Sequence, residues 1–187
     1  YLQDFYDQPE LITAYAYAIR TFQSQHPGYQ LLFSYHGLPK RHLTKVTQPE
    51  SHCTTDKNCC DRLTMANRNC YRAQCMATTR AIAKQLHLTE THVSFQSRLG
   101  TGWITPFTDE VIEQWAQQGV KKVAVVCPSF VADCLETLEE VQMALKENFI
   151  EHGGQDLKLI PCLNASEQWA RHLQQMIERT HQTWPTI

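Results

Sequence analysis

Four short apolar runs alternate with helix-length amphipathic segments along this chain, and that alternation constrains the fold more than any other feature. The runs are Leu31-Leu32-Phe33-Ser34-Tyr35, Val93-Ser94-Phe95, Lys122-Val123-Ala124-Val125-Val126-Cys127 and Leu157-Lys158-Leu159-Ile160. Runs of this kind, bounded by turn signals and lacking polar alternation, are expected of strands buried on both faces of a parallel sheet. A helix opening at Pro9-Glu10 precedes the first run, since proline suits the first helical position. Its apolar residues Ile12, Tyr15, Ala16, Ile19 and Phe22 recur at helical spacing, and His26-Pro27-Gly28 ends it. Helices are predicted from Tyr71 to Leu86, from Thr108 (as N-cap) to Gly119, and from Asp133 to Glu151 before Gly153-Gly154. A last helix follows Asn164-Ala165-Ser166-Glu167, a capping-box-like start, with Trp169, Leu173 and Ile177 as its buried stripe. Strand–helix alternation of this length predicts an α/β, Rossmann-like lobe: a four-stranded parallel sheet flanked by helices on both faces. Ligands of such sheets sit beyond the carboxyl ends of the strands. His36, Gln96-Ser97-Arg98 and Pro128-Ser129-Phe130 all follow predicted strand ends, so they are expected on one rim.

The 187 residues suit one domain with a proper core. The formal charge of −2 comes without a basic block, which argues against nucleic acid as a partner. No apolar run is long enough to cross a bilayer, and no strongly amphipathic basic helix announces a membrane surface. The start, Tyr1-Leu2-Gln3-Asp4-Phe5, is neither an initiator methionine nor a signal sequence, so a piece of a longer protein is expected.

Eight cysteines stand out. An even count is compatible with disulfides, but five of them, Cys53, Cys59, Cys60, Cys70 and Cys75, crowd into one segment. Such local crowding in a cytosolic protein more often marks a metal site, so a reduced, cytoplasmic chain is expected. Thiolates in one loop suit zinc or an iron–sulfur cluster, and the spacing fits neither a ferredoxin pattern nor a zinc ribbon. Residues 37 to about 62 otherwise read as a long irregular loop, a feature that is usually functional or disordered.

Two motifs concentrate the chemistry. Ser34-Tyr35-His36-Gly37-Leu38-Pro39 places a histidine where a buried strand runs out, and its imidazole can take a proton or bind a metal. Asp133-Cys134-Leu135-Glu136-Thr137-Leu138-Glu139-Glu140 loads a helix with carboxylates. At spacings of three and four, Asp133, Glu136 and Glu140 are expected to share one face. Read locally, that helix could also be an ordinary exposed acidic one, and His36 a loop residue that only bonds backbone.

With a third stretch, Phe95-Gln96-Ser97-Arg98-Leu99-Gly100 through Trp103 to Pro106-Phe107-Thr108-Asp109-Glu110, these motifs resemble, in order, those of the ferrochelatase family. The resemblance runs from about residue 10 to the end, apart from a cysteine-rich insertion at about 45–75. It covers only the C-terminal lobe of a two-lobed enzyme; the N-terminal lobe is absent, and the lobe alone is expected to be inactive. It implies insertion of Fe(II) into protoporphyrin IX to form haem, with release of two protons. It also implies that His36 and Glu136 face each other across the porphyrin as the catalytic pair and as contacts for the iron. Asp133 and Glu140 match an acidic track for protons or metal, Trp103 an aromatic beside the macrocycle, and Ser34 and Arg98 are candidate substrate-edge or supporting residues. Many members carry histidine where this chain has Cys134, whose thiol cannot reproduce imidazole proton chemistry at neutral pH. Some members hold a [2Fe-2S] cluster in an internal segment, so the resemblance implies one here on four of Cys53, Cys59, Cys60, Cys70 and Cys75, with zinc as the alternative. Two other readings stay open: a chelatase for cobalt or another porphyrin, and a non-catalytic iron–sulfur or metal-sensing module. Transient contact with a membrane surface is expected on account of the apolar product.

Overall fold

The computed structural model describes residues 4–47 and 58–182. Helix α1 (Pro9–Gln25) leads into β1 (Gln30–His36), the short helix α2 (Lys40–Thr44) and then α3 (Tyr71–Leu86). Strand β2 (Val93–Gln96), helix α4 (Thr108–Gln117) and β3 (Lys122–Val126) follow. The next helix has three parts: α5 (Leu135–Thr137), a π-helical stretch (Leu138–Leu145) and α6 (Lys146–Glu151). Strand β4 (Asp156–Leu159) and helix α7 (Glu167–Gln182) complete the order. All four strands are parallel, in the order β2-β1-β3-β4.

The sheet is buried on both faces, which is why its strands are nearly all apolar. Side chains alternate across it with the period of two that a pleat imposes. Val123, Val125 and Cys127 join Leu32, Ile112, Trp115, Val141 and Phe149 on one face. Ala124 and Val126 join Tyr15, Ile19, Phe33, Tyr35, Ile82 and Trp169 on the other. The elements leaving β1 and β3 therefore cover opposite faces, and a crevice opens at the carboxyl ends of these neighbouring strands, the position where doubly wound sheets hold their ligands.

Three expectations change. The acidic helix begins at Leu135, so Asp133 lies outside it, and the following π stretch widens the spacing. Asp133, Glu136 and Glu140 therefore do not share one helical face. Thr108 does not cap α4; it is the first helical residue, buried, with its hydroxyl turned to Ser34 and Ser94. On α7 the buried stripe is Trp169 and Met176, while Leu173 and Ile177 are 37% and 59% exposed. A seven-residue step returns to the face packed on α1, whereas successive four-residue steps drift off it. The cap of α7 is Ser166, whose Oγ accepts the Trp169 N–H at 3.3 Å.

Candidate functional site

His36 is the last residue of β1 and is paired with Gln96, the last of β2. Its Nδ1 lies 2.7 Å from the Gly37 carbonyl oxygen. A carbonyl can only accept, so Nδ1 carries the proton and neutral His36 keeps a bare lone pair on Nε2. That lone pair is the feature a proton or a metal ion requires. The ring of Phe130 stands beside the imidazole, with centroids 6.1 Å apart.

The loop after His36 is fastened to the loop before α4. Gly37 N–H donates to the Gln96 carbonyl at 2.7 Å, Lys40 N–H to Gly102 at 2.9 Å and Ile104 N–H to Leu38 at 3.0 Å. Pro39 and Trp103 form an isolated bridge. Trp103 is thereby pressed against Gly37, where a Cβ would stand 3.2 Å from the indole. The structure thus brings Trp103 beside the histidine loop.

Glu136 lies in the single turn of α5. The Cys134 thiol donates to its carboxylate, and a backbone amide adds a second bond. Together they hold the Glu136 carboxyl below its ordinary range. Cys134 therefore serves Glu136 as a hydrogen-bond donor, and burial followed by the neighbouring carboxylate pushes its own thiol up. The residue that fixes this turn was expected on the rim, but nothing in its local pattern pointed to this partner. Gln96, buried at the end of β2, donates through Nε2 to the Glu136 carbonyl, and its Oε1 accepts from Ser34 Oγ at 2.7 Å. Ser34 Oγ also lies 2.9 Å from Thr108 Oγ1. Ser34 is thus fully buried beneath the rim, within a polar chain that ends on the backbone of Glu136.

The remaining carboxylates are engaged elsewhere. Glu140 accepts from Ser97 Oγ at 2.6 Å. Ser97 has φ 62°, a left-handed conformation that turns its side chain toward the π stretch. Gln96, Ser97, Arg98 and Glu140 line a cavity of about 300 Å³ there. π-Helical turns often accompany functional sites. Asp133 Oδ2 accepts from Asn164 Nδ2 at 2.6 Å, and Oδ1 from Cys162 N–H at 3.2 Å and Thr137 Oγ1 at 3.3 Å. Burial would raise the Asp133 carboxyl, but these bonds outweigh it and lower it. Arg98 pairs with Asp109 at 2.6 Å and Glu110 at 3.0 Å while its guanidinium lies 4.0 Å from the centroid of Phe107.

The cysteine segment lies against α3. Cys59, Cys60, Cys70 and Cys75 are all buried, whereas Cys53 lies outside the described residues. Cys60 is the centre of the group. Hydrogen bonding from Cys70, helped by the Arg72 guanidinium and by Cys59 at 3.7 Å, draws its thiol down to about 5 against the opposing effect of burial. Cys75 differs: burial pushes its thiol up, and its partner is the Tyr71 hydroxyl. Asn67 braces the loop through Nδ2 to the Cys59 and Arg62 carbonyls, and through Oδ1, which accepts the Thr64 N–H at 2.7 Å. Among the described residues no three His, Cys, Asp or Glu side chains are closed around a point that would hold a metal ion. The donors nonetheless fit a thiolate-bound group. They are soft and buried, one is anionic at neutral pH, and a guanidinium offsets its charge.

Fold and site together define an α/β lobe carrying a metal- and proton-competent histidine, with a carboxylate beside it, at its switch point. The family model for ferrochelatase matches residues 1–181. The chain is 48% identical over 182 residues to a ferrochelatase of Pseudomonas fluorescens (strain SBW25), covering 95% of this chain and 53% of the relative. It is 46% identical to ferrochelatases of Pseudomonas syringae pv. tomato, over 95% of this chain and 53% of the relative, and of Stutzerimonas stutzeri, over 97% and 54%. The chain belongs to the ferrochelatase family, and it spans about half the length of the curated relatives it matches.

Proposed function

We propose that this chain is the C-terminal lobe of an enzyme that inserts Fe(II) into protoporphyrin IX to form haem. The observation that carries the reading is the Nε2 lone pair of His36 beside the ionised carboxylate of Glu136, in a family whose curated members are named ferrochelatases. Two pyrrole N–H protons leave as the iron enters, so the charges balance with no change of oxidation state. His36 takes a proton or contacts the iron through Nε2; Glu136, ionised at neutral pH, offers the opposite charge. Glu140, bonded to Ser97 at the cavity behind Glu136, is a station for the departing proton. Trp103 offers an aromatic face to the macrocycle. Arg98, tied to Asp109 and Glu110, and Asp133, tied to Asn164, act by holding loops rather than by touching substrate. The opposing wall of the cleft belongs to an N-terminal lobe. The enzyme works in the cytoplasm and hands its apolar product over at a membrane surface. Among the described residues no helix is long and apolar enough to cross a membrane.

The cysteine segment is read as the seat of a [2Fe-2S] cluster on Cys53, Cys59, Cys60 and Cys70, with zinc the second choice. Cys75 is left out because its thiol is raised and committed to Tyr71. Iron insertion transfers no electron, so a cluster there would stabilise the loop or sense oxidants.

The test uses the full-length protein. Glu136→Gln and His36→Ala should each lower iron insertion by about 10²–10⁴-fold, and ferrous iron should outcompete cobalt. Wild-type rates in both variants would refute the assignment. Anaerobically purified protein should contain about two irons and two acid-labile sulfides per chain; one zinc, or no metal, would refute the cluster.

A further inference from the structure

The end of β1 poses a problem that the sheet itself does not solve. Gly37 N–H points at β2, where it meets Gln96 O. Backbone N–H groups alternate sides along a strand, so the His36 N–H points at β3. The β1–β3 ladder stops at Phe33 and Val126, and β3 turns away at Pro128. The His36 amide therefore has no strand partner on that side, and its backbone is held there by a side chain instead. Ser129 Oγ lies 3.3 Å from His36 N. An amide can only donate, so the Ser129 oxygen accepts and its own proton is directed elsewhere. Tyr71 supplies the next acceptor. It sits in the first turn of α3, its hydroxyl pairs with both Ser129 and Cys75, and all three line one cavity of about 340 Å³ beside Tyr35. The His36 N–H donates to Ser129, which leaves the Ser129 O–H to turn toward Tyr71 and the Tyr71 O–H toward Cys75.

We propose that Ser129 and Tyr71 are positioning residues for His36, standing in for the ladder bond that β3 does not make. This rests on His36 being the reactive histidine of the proposed function. With the tether, the imidazole is held from both flanks, by Gln96 on one side and Ser129 on the other. Without it, the carboxyl end of β1 is pinned on the β2 side alone, and the Nε2 lone pair wanders. Misplacement of a reacting group by about 1 Å can cost about 10²-fold, and a partial loss of one tether should cost less.

The experiment uses the full-length protein with Ser129→Ala, Ser129→Thr and Tyr71→Phe. Ser129→Ala should lower kcat for iron insertion about 5–20-fold while KM for the porphyrin changes less than about twofold, because the porphyrin face is untouched. Ser129→Thr keeps the hydroxyl and should recover most of the loss, and Tyr71→Phe should reproduce a smaller part of it. Independently of activity, the ¹H–¹⁵N resonance of the His36 amide should move upfield in Ser129→Ala and stay near its wild-type position in Ser129→Thr. An unmoved His36 amide in Ser129→Ala, an unchanged kcat, or a Thr variant no better than Ala would overturn the tether. A wild-type protein that inserts iron into no porphyrin would overturn the function reading alone, since the amide shift still decides whether Ser129 holds His36.

Discussion

Gly37→Ala tests whether the histidine loop is as tightly seated as its contacts indicate. A Cβ at this position would stand 2.8 Å from the Gln96 carbonyl oxygen and 3.2 Å from Cε3 of Trp103. The first contact is below any normal carbon–oxygen approach, and it is made with backbone. That carbonyl cannot simply retreat, since it accepts the Gly37 N–H at 2.7 Å, and the Gln96 side chain carries the Glu136 turn. Relief must come from opening the junction of β1 and β2 or expelling Trp103. Overpacking of this kind costs about 1–3 kcal/mol. For a chain of this size each kcal/mol lowers Tm by about 2–4 °C, so thermal unfolding followed by circular dichroism should show a drop of roughly 2–12 °C. Iron insertion by the full-length variant should fall further than stability accounts for, since His36, Trp103 and Gln96 all move. A variant within about 1 °C of wild type and fully active would show that the loop yields freely and would refute the seating argument.

Other outcomes follow from single groups. Asn67→Ala removes the brace of the cysteine segment and leaves the Cys59 and Arg62 carbonyls without their donor; a local loss of about 2–3 kcal/mol should appear as faster proteolysis within 58–70 and as reduced metal content. Asp156 accepts from the Tyr29 hydroxyl at 2.6 Å and pairs with Lys146 at 2.9 Å; burial would raise its carboxyl, but these partners hold it at about 2. A folded-state value below the unfolded one gives stability that is present above about pH 4 and is lost as pH falls through about 2, so Asp156→Asn should remove about 1–2 kcal/mol at neutral pH, after allowance for its partial exposure, and flatten acid unfolding in that window. Gln96→Leu is nearly isosteric but strips the Glu136 carbonyl and the Ser34 hydroxyl of their partner; a loss of about 2–3 kcal/mol is expected, with an accompanying loss of activity, and unchanged urea unfolding would refute the role of the buried chain.

The sheet was legible because each strand is buried on both faces, so Val123-Ala124-Val125-Val126 and its counterparts are read without regard to orientation. His36 was legible because a polar residue at the end of such a run must emerge on the rim. The acidic helix was only half legible. Periodicity presumes 3.6 residues per turn from the first residue, whereas here the chain caps at Cys134 and then widens through Leu138–Leu145. Neither event leaves a compositional mark, since a π stretch uses the same residues as an α-helix. Gln96 and Ser129 were legible as residues of the rim, but their partners were not, for a different reason. Each earns its place through a partner distant in sequence, Glu136 and His36 respectively, and no local pattern encodes such a pairing.

The hydrogen bonding also explains why one carboxylate is singled out from an acidic run. Four carboxylates within Asp133–Glu140 would repel one another if all faced the same crevice. The fold separates them instead. Asp133 is turned to Asn164 and the Cys162 amide, Glu140 to Ser97, and Glu139 to solvent. Glu136 alone remains beside His36, with a weak thiol donor and a backbone amide as its partners. A weak donor leaves most of the carboxylate's charge available to a cation, whereas an amide like that of Asn164 satisfies it. The widened π turn carries Glu140, whose carboxylate is taken up by Ser97. The division of labour among these residues is therefore set by which hydrogen-bond donor each carboxylate meets, and it follows from where the helix begins and how it is wound.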